Sequence, residues 1–248
     1  MKIIFFGSSQ FGEPSLRAIV ENNYKVICVV TQPDRKKARG LKSLPTPIKQ
    51  VAMDLGFLVY QPERINTVEA VNFLKDLNAD LFVVIAYGQI LSEEILNIPK
   101  IFSLNVHASL LPKYRGAAPV NWAIIKGEKT TGITIIKMTE KMDAGPIIFQ
   151  ESIDILEQDD AVSLGQKLSL LSARLLIKTL RDIQKNNYQF IPQDEAKVCF
   201  APRLKKEDGR INWDEPAIKI NNLIRGCMGW PGAFTYYKGR RLKIYKAK

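Results

Sequence analysis

The sequence is poor in the residues that bind metals or form disulfides. Its 248 residues include one histidine, His107, and three cysteines, Cys28, Cys199 and Cys227. The cysteines are widely separated and form no CxxC pair, which indicates free thiols rather than a disulfide framework or a structural zinc site. One histidine also excludes a metal centre built from several histidines. We therefore expect a protein that works without a metal ion.

Long hydrophobic segments are missing as well. No apolar run approaches the ~18 residues that cross a bilayer, and the apolar stretch at residues 3–6 is too short for a secretory signal. The sequence also has no P-loop, GxSxG elbow or HExxH motif, and the segment after the first strand, Gly7–Gly12, lacks the GxGxxG spacing of a dinucleotide site. We therefore expect a soluble, cytoplasmic protein with no membrane partner.

The positive charge is concentrated near one end of the chain. Hydrophobic residues make up 46% and charged residues 25%, as in an ordinary globular protein, and the net charge is +11. Residues 203–248 contain 12 basic and 4 acidic residues, a net charge of +8, which leaves +3 for the rest. A basic segment on a nearly neutral body can hold a polyanion, although a solvated, lysine-rich tail has the same composition.

Short β-rich runs alternate with segments of helical period in the first three quarters of the chain. This order predicts an α/β, Rossmann-like fold with a mostly parallel sheet. The predicted strands are apolar at successive positions, as expected for strands that are buried on both faces. The predicted strands are Lys2–Phe6, Lys25–Val30, Phe57–Tyr60, Leu81–Ala86, Phe102–His107, Ile133–Met138 and Ile147–Ile153. The predicted helices are Pro14–Asn22, Ile48–Leu55, Val68–Leu77, Ala117–Ile125 and Val162–Gln184.

Periodicity fades after the last of these helices. We predict a catalytic domain over 1–186, a linker over 187–202 and a basic C-terminal domain over 203–248. The last contains a short predicted helix at 215–226 and a hairpin at 234–245 with Gly239 in the turn. One helix and two strands bury too little apolar surface to be stable alone. We therefore expect the C-terminal domain to dock on the catalytic domain or to be incomplete.

The end of the fifth predicted strand carries the first candidate for chemistry. Asn105 and His107 are two residues apart and therefore project from the same face, at the carboxyl end where α/β sheets bind ligands. An amide that donates to a developing oxyanion beside an imidazole that moves a proton suits acyl chemistry. The same pattern would arise if Asn105 and His107 only formed hydrogen bonds with the backbone of nearby loops. The catalytic and the purely structural interpretation therefore both stay open at this point.

Three further segments have a functional and a purely structural interpretation. The loop 108–119 could form the wall of a flat apolar ligand site or a well-anchored turn. Asp143, in a tight turn between two strands, could orient an imidazole or serve only the turn. The connection 31–42 carries five cations, which suit phosphate contacts as well as a solvated loop.

Several of these segments taken together resemble the folate-dependent formyltransferase family. The match rests on three elements in the family's order and spacing, namely Asn105-x-His107, Ser109-Leu110-Leu111-Pro112-x-Tyr114-Arg115-Gly116 and Asp143-x-Gly145. Within the family, the members that act on methionyl-tRNA are the most similar. Their segments resemble Thr31-Gln32-Pro33-Asp34-Arg35, Arg39-Gly40, Pro45-Thr46-Pro47-Ile48-Lys49, Ala86-Tyr87-Gly88, Arg210-Ile211-Asn212-Trp213, Ile224-Arg225-Gly226 and Trp230-Pro231-Gly232.

The resemblance implies an activity and a set of residue roles. The formyl group of 10-formyltetrahydrofolate would pass to the α-amine of methionine on initiator tRNA. Asn105 would hydrogen-bond the formyl oxygen, His107 would stabilise the intermediate and assist proton transfer, and Asp143 would orient His107. The residues expected to line the folate site are Tyr87, Gly88, Ser109, Leu110, Leu111 and Pro112. The residues expected to contact tRNA are Arg35, Arg39, Lys42, Lys205, Lys206, Arg240, Arg241 and Lys243.

The chain departs from the family pattern in its C-terminal domain. That domain normally continues into a closed OB-like barrel, whereas the strands predicted after residue 203 are too few to close one. Either the sequence is a fragment or the barrel is reduced, and in both cases we expect a short, incomplete OB-like unit with a weakened hold on tRNA and an exposed edge near Phe234. No obligate protein partner is predicted. The competing hypotheses are a sugar-nucleotide N-formyltransferase, a catalytically silent RNA-binding module and a hydrolase that releases formate.

Overall fold

The structure, a computed structural model, describes residues 1–36 and 43–247. The chain divides into two compact units, which are described separately. The first comprises Met1–His107, Ile135–Phe149 and Ser169–Pro192, and the second comprises Ala108–Thr134, Gln150–Leu168 and Gln193–Lys248. The domain boundaries at 186 and 203 stay predictions.

The described residues form strands and helices in a mainly alternating order. The strands are β1 Lys2–Gly7, β2 Lys25–Val30, β3 Arg35–Lys36, β4 Ser43–Leu44, β5 Val59–Tyr60, β6 Leu81–Ile85, β7 Phe102–His107, β8 Thr130–Lys137, β9 Ile147–Asp154, β10 Ala233–Tyr237 and β11 Arg240–Ile244. The α-helices are α1 Glu13–Glu21, α2 Pro47–Asp54, α3 Val68–Asp76, α4 Glu93–Leu96, α5 Pro119–Ile125, α6 Ala161–Gln184 and α7 Ala217–Gly226. None of the helices within 1–36 and 43–247 is long and apolar enough to cross a membrane.

Seven strands form one sheet in the order β5-β2-β1-β6-β7-β8-β9. The pairs β2–β5, β1–β2, β1–β6 and β6–β7 are parallel. The Met138 amide, just after β8, donates to the Ser103 carbonyl near the start of β7, so β8 runs antiparallel to β7. The Lys137 amide at the end of β8 donates to the Pro146 carbonyl just before β9, so β9 runs antiparallel to β8. The predicted α/β class with a mostly parallel sheet is confirmed.

The strand order changes direction at the centre of this sheet. From β1 the chain adds β2 and β5 on one side, and then crosses to add β6 and β7 on the other. The loops that leave the carboxyl ends of β1 and β6 therefore diverge and leave a crevice between them, which is where open α/β sheets bind ligands. This topology places Ser8, after β1, and Tyr87, after β6, at the same edge.

The central strands are buried on both faces. Alternate residues of β1 point to opposite sides, and Ile4 and Phe6 belong to a buried cluster with Val71 and Leu74 of α3. On the other face, Gly7 leaves room for Phe5, because a Cβ at Gly7 would lie 2.7 Å from the Phe5 ring. Both faces must be apolar for such a sheet, which is why the strand sequences read as continuous apolar runs.

The C-terminal part of the second unit has its own small core. Ile211, Ile224, Cys227 and Ala233 pack together beneath the antiparallel pair β10–β11. Two positive φ angles, 47° at Lys238 and 74° at Gly239, form the turn between these strands, as a two-residue hairpin of type I′ requires. The predicted hairpin is confirmed.

Hydrogen bonds fasten α7 within the second unit. The Arg225 guanidinium donates to the carbonyls of Leu156, Glu157 and Asp159 at 3.1, 3.0 and 2.8 Å. The Asn121 amide donates to the Gly226 carbonyl at 2.8 Å. The short C-terminal elements therefore dock on residues of the same unit.

Several element boundaries differ from prediction. The helix expected from Ala117 begins at Pro119, because proline suits the first helical turn. The strand expected over 57–60 is limited to Val59–Tyr60, where it pairs with β2. The short elements β3, β4 and α4 are absent from the predicted elements, because segments of only 2 to 4 residues have no periodicity to detect.

Candidate active site

Strand β7 presents the two candidate catalytic side chains on one face. His107 is buried, with 6% of its surface exposed, and Asn105 is half-buried. Asn105 lies in register with Val84 of β6, so the pair stands at the carboxyl edge of the parallel part of the sheet. A buried imidazole near a strand end is held in a fixed orientation, which catalysis requires.

The turn between β8 and β9 brings Asp143 to both of them. The Asn105 amide Nδ2 donates to Asp143 Oδ1 at 3.3 Å, and His107 Nδ1 lies 3.5 Å from Asp143 Oδ2. All three side chains belong to the first unit. The two functional groups on β7 are therefore oriented by the two oxygens of one carboxylate.

Backbone conformation places this carboxylate. Asp143 has a φ of 51°, in the left-handed region that aspartate tolerates better than most residues. A Cβ at Gly145 would overlap the carbonyl oxygen of Lys137, so the turn can close this tightly only with glycine. The Asp143-x-Gly145 spacing noted in the sequence has this physical cause.

Asp143 also determines how His107 can act. A carboxylate facing Nδ1 favours the tautomer with its proton on that nitrogen, so Nε2 can accept a proton. The Asn105 amide has two N–H groups, and the one that Asp143 does not use can donate to an oxygen that becomes negative. The arrangement can therefore stabilise negative charge on a carbonyl oxygen and move a proton beside it.

The turn after β6 has an unusual conformation. Ala86 and Gly88 have positive φ angles of 48° and 93°. The Tyr87 side chain is only 2% exposed, packs edge-to-face on Phe6, and has a pKa raised mainly by burial. Its hydroxyl has no hydrogen-bond partner within the described residues. Tyr87 therefore shapes the turn from inside the core, while Ala86 and Gly88 are exposed.

The segment 109–113 in the second unit is held by a buried threonine. The Thr134 hydroxyl, fully buried, donates to the Ser109 carbonyl at 2.6 Å and accepts from the Leu111 amide at 3.1 Å. Gln150 donates to the same hydroxyl at 2.8 Å and to the Leu111 carbonyl at 2.9 Å. These bonds leave Leu110 and Pro112 half-buried. Sequence spacing carries no signal for Thr134 or Gln150.

Residues 115–118 of the same unit pair with a stretch of the predicted linker. The Arg115 amide donates to the Cys199 carbonyl at 2.9 Å, and the Ala201 amide donates to the Arg115 carbonyl at 2.7 Å. The buried Arg115 guanidinium donates to Gln193 Oε1 and to both carboxylate oxygens of Glu195 at 2.8 to 3.3 Å. Residues 193–201 are therefore fixed to the segment that follows the predicted folate-site residues.

The residues predicted to contact tRNA lie in both units. Arg35 of the first unit is exposed and forms an ion pair with Glu63 at 3.2 Å. Arg39 and Lys42 lie outside the described residues. The remaining predicted contacts lie exposed in the second unit and are Lys205, Lys206, Arg240, Arg241 and Lys243. The Arg241 guanidinium stacks on Phe234, 3.8 Å from the ring centroid.

The described residues contain no group of three or more histidine, cysteine, aspartate or glutamate side chains that could hold a metal ion. Burial raises the pKa of Cys28 and Cys227 to about 12, so both thiols are protonated at neutral pH.

Two family models match the chain. One, described as Formyl transferase, covers residues 1–180, and the other, described as Formyl transferase, C-terminal domain, covers residues 203–248. Among curated relatives, the methionyl-tRNA formyltransferase of Caldanaerobacter subterraneus subsp. tengcongensis is 47% identical and spans 100% of this chain and 81% of the relative. The methionyl-tRNA formyltransferase of Geobacter metallireducens is 46% identical, and the match spans 99% of this chain and 79% of the relative.

Solved structures with lower identity share the fold. A sugar N-formyltransferase from Shewanella sp FDAARGOS_354 has a TM-score of 0.76 at 20% identity, covering 98% of this chain and 96% of that one. An N-formyltransferase from Helicobacter canadensis, in complex with folinic acid and dTDP-3-aminofucose, has a TM-score of 0.75 at 24% identity, covering 99% and 87%. HypX from Aquifex aeolicus in complex with tetrahydrofolic acid has a TM-score of 0.72 at 17% identity. The match covers 99% of this chain and 37% of the HypX chain.

We expect Thr134→Val to destabilise the protein by about 1–3 kcal/mol, because the change leaves the Leu111 amide and the Gln150 side chain without their buried partner. Chemical denaturation followed by circular dichroism measures the loss. Thr130→Val is the matched control, since Thr130 is exposed on the same strand. Equal stabilities of the two variants would show that the Thr134 hydroxyl does not hold the 109–113 segment.

Proposed function

Because the chain belongs to the formyl transferase family, we propose that it transfers the formyl group of 10-formyltetrahydrofolate to the α-amino group of methionine on initiator tRNA. The observation that carries this assignment is the identity of 41 to 47% with relatives named methionyl-tRNA formyltransferase, which cover 99 to 100% of the chain. The solved sugar N-formyltransferases share the fold at only 20 to 24% identity, so they do not favour a sugar acceptor.

The site has the groups that a formyl donor of this type needs. 10-Formyltetrahydrofolate supplies a formyl carbon bonded to nitrogen, which an amine can attack. Asn105 and His107 supply a donor and a base within reach of one carboxylate, Asp143. The family and a fold neighbour that contains tetrahydrofolic acid support a folate as this donor. The residues that we propose to line its site are Gly88, Leu110 and Pro112, together with the backbone of Tyr87, Ser109 and Leu111, whose side chains are buried.

Asn105 acts on the formyl oxygen in this proposal. As the amine nitrogen bonds to the formyl carbon, the oxygen gains negative charge, and the Asn105 N–H stabilises it by a hydrogen bond. The carboxylate of Asp143 holds the amide in place beforehand, so little reorganisation is needed during the reaction.

His107 moves the proton. The attacking amine must lose one proton, and the folate nitrogen must gain one when its bond to the formyl carbon breaks. Nε2 of His107 accepts the first and returns it to the leaving nitrogen, so the proton count balances. Asp143 stabilises the imidazolium that exists between these steps.

The second substrate is a large polyanion, and the chain offers cations for it. The C-terminal hairpin exposes Arg240, Arg241 and Lys243 on β11, and Lys205 and Lys206 are exposed in the same unit. Such side chains bind phosphates regardless of base sequence and would hold the tRNA while its methionine reaches His107. Initiator tRNA is charged in the cytoplasm, the compartment that we propose for this protein.

The proposal is tested by offering three acceptors in parallel. The purified chain is incubated with 10-formyltetrahydrofolate and either methionyl initiator tRNA, an amino-sugar nucleotide or water alone. Formylmethionine formed only with the tRNA supports the proposed function. Formyl transfer to the sugar or formate release in water would assign the chain to one of the competing activities, and no turnover with any acceptor would leave a binding protein.

We expect His107→Ala to lower kcat about 10²- to 10⁴-fold, because the variant loses proton transfer and electrostatic stabilisation of the transition state. The formylation assay measures this effect, and thermal unfolding of the variant checks that the fold is intact. A variant that retains most of the wild-type turnover would contradict the role of His107.

The double variant Arg240→Ala/Arg241→Ala should weaken tRNA binding and lower the slope of log K against log[salt] by about 2, one for each lost phosphate contact. Filter binding over a salt series measures both quantities. Lys25→Ala/Lys100→Ala removes the same charge at the amino-terminal edge of the sheet and serves as the control. If the two double variants bind alike, the hairpin does not contact the tRNA.

A further inference from the structure

The segment 109–113, which carries most of the residues proposed to line the folate site, belongs to no helix or strand of the described residues. Its backbone groups bond to side chains instead. Thr134 and Gln150, on the neighbouring strands β8 and β9, hold the Ser109 carbonyl and both backbone groups of Leu111. All of these residues belong to the second unit, so the segment and its supports form one local arrangement.

The Thr134 hydroxyl uses every hydrogen bond that it can form, since a hydroxyl has one proton and two lone pairs. Its proton goes to the Ser109 carbonyl at 2.6 Å, and its lone pairs accept from the Leu111 amide at 3.1 Å and from Gln150 Nε2 at 2.8 Å. The second N–H of Gln150 donates to the Leu111 carbonyl at 2.9 Å. Thr134 is fully buried, so any other position of the segment would leave a polar group there without a partner.

The same face of β8 also makes room for the segment. Gly132 is two residues before Thr134, and strand side chains two residues apart project from the same face. A Cβ at Gly132 would lie 2.6 Å from Leu110 Cδ2 and would overlap the carbonyl oxygen of Glu151. One face of the strand therefore gives Leu110 its space and Leu111 its hydrogen bond to Thr134.

Burial alternates along the segment. Ser109 and Leu111 are buried, whereas Leu110 and Pro112 are half-buried and can still contact a ligand. The pteridine ring of a folate is flat, and it gains affinity from such apolar side chains by close contact. A gap of about 0.5–1 Å forfeits about a quarter to a half of the dispersion energy of a contact. The position of the segment therefore determines how tightly it can bind the donor.

We propose that Thr134 and Gln150 are positioning residues for the formyl donor: they touch neither substrate, and they hold the 109–113 segment where Leu110 and Pro112 pack against the folate. The inference rests on the proposed function, and goes beyond it by assigning part of the affinity for the donor to a buried network behind the site. Because the network ends on that segment, its loss should weaken donor binding without changing the affinity for the RNA acceptor.

Gln150→Met tests the proposal, since it keeps the length of the side chain and removes both N–H donors. We expect the Kd of 5-formyltetrahydrofolate, a donor analogue that carries its formyl group on another nitrogen, to rise about 3- to 10-fold, the effect of losing about one net buried hydrogen bond. Isothermal titration calorimetry without an acceptor measures this Kd. Gln166→Met makes the same exchange at an exposed position of the second unit and should leave the Kd unchanged.

Two substitutions of Thr134 separate positioning from a merely structural role. Thr134→Val removes the hydroxyl and Thr134→Ser keeps it, so we expect only Thr134→Val to share the raised Kd. In the formylation assay, the KM for the folate should rise about 3- to 10-fold in Thr134→Val and Gln150→Met, while the KM for methionyl initiator tRNA and kcat at saturating donor stay within about twofold. Thermal unfolding checks that each variant is folded at the assay temperature.

The outcomes separate this inference from the proposed function. Wild-type protein that does not bind 5-formyltetrahydrofolate overturns both. Wild-type protein that binds it but formylates an acceptor other than the tRNA overturns only the proposed acceptor, and the Kd values of the variants still decide the role of the network. A Gln150→Met variant with the wild-type Kd, or a Thr134→Ser variant that binds as weakly as Thr134→Val, overturns the inference. Equal increases in the KM values for folate and tRNA would make the two residues structural and would overturn it as well.

Discussion

The proposed catalytic arrangement depends on one carboxylate, that of Asp143, which contacts two partners. Asp143 accepts from Asn105 through one oxygen and faces His107 Nδ1 with the other, so a single side chain fixes both the donor and the base. Asp143 can do this because its backbone is left-handed and because Gly145 lets the turn approach Lys137 more closely than any other residue could. The positions of Asn105 and His107 in the proposed site therefore depend on the conformation of this turn.

The sheet determines where that chemistry can occur. Because β2 and β5 lie on one side of β1 and β6 and β7 lie on its other side, the loops at the carboxyl ends of β1 and β6 separate and leave an open edge. Ser8, Gln32 and Tyr87 form hydrogen bonds at this edge, and Asn105 and His107 lie at the end of the next strand. Polar side chains collect there because a strand end is where the buried sheet stops and backbone groups need partners.

Buried polar contacts, rather than apolar packing alone, shape the segments around the site. Thr134 and Gln150 hold the 109–113 segment, Arg115 holds residues 193–195, and Gln61 connects Gln32 to Asp34. Such contacts are costly to leave half-made, so each one specifies a single conformation of its loop. A solved sugar N-formyltransferase and HypX share this fold.

The sequence by itself determined the α/β class, most of the sheet, the main helices and the pairing of Asn105 with His107, because strand and helix periods and the two-residue spacing on β7 are local properties. Only the tertiary structure decided which distant residues meet. Asn105 and Asp143 are separated by 38 residues, and Leu111 meets Thr134 across 23. Likewise, the Tyr87 ring points into the core, and Asp34 pairs with Lys49. Local patterns cannot report such contacts, because they depend on how the strands are ordered and on the turns that connect them.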